Sequence, residues 1–191
     1  MRLKPLPFLF VAILFAGLFG CVSSEQAGAP EKRSTTVVSG DTSYLQNSKG
    51  RYAWHPSLIK AHLKKAENEA LLLSEMRKSI AKVMSEKGYI QVNANQQPDF
   101  FIGFGAALES EMSDQQILER AGLMAGMSSS DVDPALYQKG SMLVALFYSL
   151  ETGPFWRVLG QGMAAKHQPL DERKLTIERG VSRMLQRIPQ R

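Results

Sequence analysis

Cysteine is almost absent: the 191 residues hold one, Cys21. That count excludes a disulfide framework and every cysteine-cluster metal site. Histidine is scarce as well. His55, His62 and His167 are scattered, and histidines without a carboxylate pattern beside them make a poor metal site. Nucleophile elbow, phosphate loop, paired-histidine zinc helix and calcium loop are all missing. Gly103-Phe104-Gly105 lacks the third glycine of a dinucleotide fingerprint and lies in a strand pattern. The sequence therefore offers no catalytic residue, cofactor site or metal site. The charge balance is modest, with 23 basic and 18 acidic side chains. A net charge of +5 is no nucleic-acid footprint.

What is present begins at the N-terminus. Arg2 and Lys4 precede an apolar run from Leu6 to Gly20. Fifteen residues fall short of the roughly 20 that a spanning helix needs, and they fit the h-region of a signal peptide. The run ends Leu18-Phe19-Gly20-Cys21, which resembles the bacterial lipobox. That resemblance implies cleavage before Cys21, lipidation of its thiol and acylation of the new amino group. Acyl chains contribute about 0.8 kcal/mol per buried methylene, and stable anchoring takes more than one chain. Val22 rather than Asp follows the cysteine, which by the same resemblance implies an outer-membrane destination facing the periplasm. Loss of residues 1–20 removes Arg2 and Lys4 and lowers the net charge from +5 to +3. Residues 21–34 are small, polar and without period, and read as a tether.

From residue 35 the pattern is that of one α+β domain. Thr35–Val38 is a short β-prone run, and Arg51–Trp54 is a second, expected to end at His55-Pro56. Leu72, Leu73, Met76, Ile80, Val83 and Met84 form an apolar stripe, predicting a helix over Glu67–Lys87 closed by Gly88. Ile90–Val92 is β-like. Phe100–Leu108 alternates as a strand, and so does Ser141–Glu151. Thr152-Gly153-Pro154 predicts an antiparallel hairpin into Phe155–Ala164. Asp171–Ile188 carries the second long helical stripe, stopped by Pro189. The two stripes require a shared sheet face. The expected fold is a mainly antiparallel sheet with two amphipathic helices on one face, in the order β-β-α-β-β-(insertion)-β-β-α. The insertion, 111–139, opens with a capping box at Ser113–Gln116 and a short amphipathic helix.

Several of these segments together resemble a family. Tyr52-Ala53-Trp54, Lys87-Gly88-Tyr89, Pro98-Asp99-Phe100, Gly140–Val144 and Thr152-Gly153 followed by Trp156-Arg157 are similar, in order and spacing, to the DUF4136 family of bacterial lipoproteins. The resemblance covers about residues 35–188. It implies the α+β fold and an envelope location, and names no catalytic residue, because the family is a domain of unknown function.

Two functional classes follow. One is a non-enzymatic envelope module that binds a protein, lipid or cell-wall partner. The other is a periplasmic hydrolase drawing on Asp99, Glu109 and Glu151, the carboxylates near strands. Two surfaces are candidates for a partner: the methionine-rich insertion, with Ile117, Leu118, Met124 and Met127, and the row Arg179, Arg183 and Arg187, spaced to meet phosphates or an acidic partner. Tyr52, Trp54, Phe155 and Trp156 read first as core aromatics and second as a stacking surface.

Overall fold

A computed structural model describes residues 33–191, so the signal peptide, Cys21 and all but the last two residues of the tether expected over 21–34 lie outside the described residues, and Ser34 already belongs to a strand. The elements follow as β1 (Ser34–Gly40), α1 (Ser43–Asn47), β2 (Arg51–His62), α2 (Ala66–Glu86), β3 (Ile90–Gln91), β4 (Phe100–Leu108), α3 (Asp114–Ala121), β5 (Tyr137–Phe147), β6 (Pro154–Ala165) and α4 (Leu170–Met184). Six strands form one sheet in the order β1-β6-β5-β4-β2-β3. Its β1–β6, β6–β5 and β5–β4 pairings are antiparallel; β2 runs parallel to both β4 and β3. The mixed, mostly antiparallel α+β fold expected from the sequence is the one observed.

Period-two alternation decides the two faces of the sheet. One carries Phe100, Ile102, Phe104, Val144, Leu146, Trp156 and Val158, and buries them against Met76, Ile80, Val83 and Met84 of α2 and Ile177, Val181 and Met184 of α4. Both helices thus share one core, as their stripes demand. Tyr52 and Trp156 are each 1% exposed within it. Burial holds the Tyr52 phenol at a pKa of about 12. Trp54 is half-buried, and the Arg77 guanidinium sits 4.7 Å above its ring. The Tyr52 and Trp156 aromatics are core, and Phe155 joins Tyr44 and Tyr148 in a half-exposed ring cluster with Tyr148 and Phe155 stacked 4.3 Å apart.

Three element boundaries differ from the sequence reading. β2 does not stop at His55-Pro56 but continues to His62. The register shifts between Trp54 and Ile59, and this irregularity takes up Pro56, which cannot donate to a regular ladder. His55 inside it is buried against the Phe101 and Phe147 rings, while its Nδ1 accepts from the Ser57 amide at 3.3 Å. β5 begins at Tyr137 and ends at Phe147 rather than spanning 141–151. Residues 149–152 form a turn in which Ser149 and Thr152 bond one another, so Glu151 lies outside the strand. The last long helix ends at Met184, and a tighter turn carries the chain through Leu185–Arg187. The short helix α1, with Leu45 buried, has too little periodicity to be read from sequence.

Candidate functional site

The buried positions of α2 and α4 lie towards their C-terminal halves: Met76 to Met84 in one, Ile177 to Met184 in the other. Their N-terminal halves stand over a part of the sheet that has few side chains. There the helix-facing positions are Ala106, Gly140, Met142, Gly160 and Gly162. The result is a cleft of about 940 Å³, within the roughly 300–1,000 Å³ of small-molecule sites. Its floor glycines are of two kinds. A β-carbon at Gly160 would lie 2.9 Å from the Met184 sulfur, so this glycine lets α4 approach the sheet. A β-carbon at Gly140 would meet nothing closer than 3.8 Å, and one at Gly162 nothing closer than 3.6 Å, so these two leave open space.

The walls are apolar and the rim is cationic. Leu71 and Leu72 of α2 and Leu170 and Leu175 of α4 line the sides; Leu170 is 48% and Leu175 55% exposed. Basic side chains along the lining outnumber acidic ones eight to two, the acids being Glu75 and Glu172. Glu75 is itself paired with Lys78 at 2.8 Å. Among the described residues Lys64, Lys65, Arg173, Arg179 and Arg183 have no carboxylate within 4.0 Å. Arg33, whose backbone borders the cleft, sends its guanidinium to the insertion, where it binds Asp131 at 2.6 Å.

The opposite face of the sheet carries the insertion. Ile117, Ala121 and Leu123 are buried on Leu159, with Val37, Met112, Ala125 and Leu143 around them. The expected capping box is present: the Gln116 amide donates to Ser113 Oγ, and the Ser113 amide to Gln116 Oε1. A buried polar network fixes the rest. Lys139, 4% exposed, donates to Asp114 at 2.8 Å and to the Met127 carbonyl at 3.1 Å, and pairs with Glu109 at 3.0 Å. The Gln161 amide group donates to Asp114 and Ser141 and accepts from the Met127 amide. Burial lowers the affinity of Lys139 for its proton, but the bonds to Asp114 and Glu109 outweigh that and raise its pKa. Burial likewise pushes Asp114 up, and its bonds from Lys139 and Gln161 bring it below the usual carboxylate value. Every polar member has a partner, so the network is a fastening between insertion and sheet.

No family model and no curated protein matches the chain. Solved structures are similar to it in fold. PelC from Paraburkholderia phytofirmans, solved as a dodecamer, is similar over 83% of this chain and 99% of that chain, with 10% identity and a TM-score of 0.49. A DUF4136 family protein from Bacteroides thetaiotaomicron is similar over 83% of this chain and 98% of that one, with 10% identity and a TM-score of 0.46. The family that the sequence resembles is thus among the structures similar to this chain.

The residues singled out in the sequence are divided between the two faces. Arg179 and Arg183 line the cleft, and Arg187 lies further along, past the end of α4. Ile117 faces the sheet and is 6% exposed; Leu118 and Met127 are half-buried; Met124 is 45% exposed. The three carboxylates of the hydrolase reading are not brought together. Asp99 precedes β4 and accepts the Arg51 amide, Glu109 follows the same strand's far end, and Glu151 is in the β5–β6 turn. Nine strand residues at about 3.3 Å each separate the first two by roughly 30 Å. Among the described residues no cluster of histidine, cysteine and carboxylate side chains is suited to a metal ion. Sequence reasoning did not weigh Lys64, Lys65 and Arg173. Their signal is weak, since separate elements bring them to one rim.

Proposed function

We propose that the protein is a lipid-anchored lipoprotein of the bacterial envelope, held at the outer membrane through Cys21, whose periplasm-facing domain is a non-enzymatic binding module. The anchoring half rests on Leu18-Phe19-Gly20-Cys21 closing an apolar run. The observation that carries the binding half is the cleft under α2 and α4, with its apolar floor and unpaired cations. Concave apolar sites with a few convergent polar groups are the usual form of a ligand site. No helix among the described residues is long and apolar enough to cross a membrane, so the proposed attachment is the acylated cysteine.

Fractionation of cells expressing the parent and Cys21→Ser tests the anchor. The parent is expected in the outer-membrane fraction after a salt wash, and the variant as an uncleaved or released precursor. A Cys21→Ser protein that stays with the outer membrane through the wash contradicts the anchoring reading.

A further inference from the structure

The cleft and the chain's entry into the domain lie at one end of the molecule. β1 starts there, with Ser34 opposite Gly162. β2, β4 and β6 end there, because β4 and β2 are parallel and β6 runs antiparallel to β5, as β4 does. α2 and α4 therefore both begin there. Arg33 to Thr36 form part of the cleft lining, and only twelve residue steps separate Arg33 from Cys21.

The lining suits one kind of occupant. An apolar floor and leucine walls gain nothing from a small hydrophilic anion. An uncharged apolar molecule leaves Lys64, Lys65 and Arg173 without use. A phosphate at the margin answers those cations with charge-assisted bonds. About 940 Å³ is space for one amphiphile and not for a folded partner. We propose that the cleft takes up one acyl chain of an anionic phospholipid from the membrane, with the phosphate held on the cationic rim by Lys64, Lys65 and Arg173. The proposal deepens the binding reading above and is independent of how the protein is anchored.

The test uses full-length protein purified from membranes in a non-ionic detergent and incubated with phosphatidylglycerol or phosphatidylcholine. Native mass spectrometry then counts bound lipid. One phosphatidylglycerol per chain is expected, preferred over phosphatidylcholine by more than about tenfold, since basic residues attract a net anionic headgroup and the choline cation offsets that attraction. Gly140→Leu with Gly162→Val fills the open floor and should reduce that loading by about tenfold or more, with the melting temperature little changed. Lys64→Glu, Lys65→Glu and Arg173→Glu combined alter only the rim, and should bring phosphatidylglycerol down to the phosphatidylcholine level; this variant serves if the filled floor does not fold. Equal binding of the two lipids, or loading untouched by both variants, overturns the proposal. Cys21→Ser should keep its loading. A parent that takes up no added lipid while Cys21→Ser does places the protein's own anchor in the cleft and also overturns it. Lost anchoring with retained loading supports the cleft, whereas retained anchoring with no loading defeats the cleft and leaves the anchor standing.

Discussion

Gly160 and Gly140 are on the same face of neighbouring strands, yet a methyl group added at each meets different surroundings. At Gly160 it would press on the Met184 side chain, which is 2% exposed and held between α4 and the sheet. Overpacking of that kind costs about 1–3 kcal/mol, so Gly160→Ala should lower the denaturation midpoint. At Gly140 the methyl group reaches only ordinary contact distances, and Gly140→Ala should change stability by less than about 0.5 kcal/mol. Equal effects at the two positions would contradict the cleft as drawn. Asp114 makes a second residue-scale prediction. Its pKa is lowered in the folded protein, so it contributes stability above the unfolded value of 3.8, and that stability is lost as pH falls through the lowered folded value. Hydrogen-exchange protection factors within 122–136 should therefore fall below about pH 4 and stay flat from pH 5 to 8. Lys139→Met removes the ammonium that helps hold the carboxyl down, and should shrink that acid response.

At the scale of elements, the insertion is tied to the sheet by side chains as well as by its backbone ends. Removing 113–133 strips Ile117 and Leu123 from Leu159 and Leu143. Burying each such side chain contributes about 1.5–3 kcal/mol. In a domain of this size 1 kcal/mol moves the melting temperature by roughly 2–4 °C. Deletion with a glycine bridge should therefore lower it by about 10 °C, measured by circular dichroism; an unchanged value would show that the packing contributes nothing. The elements legible in the sequence were those with a clean period. Phe100–Leu108 alternates without interruption and is a strand over those residues, and the α2 stripe fixes its helix to within one residue at each end. The illegible parts have tertiary causes. β2 passes Pro56 because a bulge can absorb it, and β5 shifts towards Tyr137 because its pairing with Ala165 extends the ladder. The core was legible from periodicity alone. The cleft was not, since its rim comes from β1, α2, α4 and the segment between β2 and α2, and its floor consists of side chains that are absent.

At the scale of the whole molecule, the fold gathers the start of β1, both helix N-termini and the cleft at one end. The first described residues thereby border the proposed lipid site, and the insertion is kept on the opposite sheet face. The anchoring half of the account requires that Cys21 carry lipid. Intact mass spectrometry of the protein extracted from membranes decides that most directly. The account predicts a chain beginning at Cys21, with added mass corresponding to a lipidated thiol and an acylated amino group. A chain retaining residues 1–20, or one with an unmodified Cys21, would contradict it.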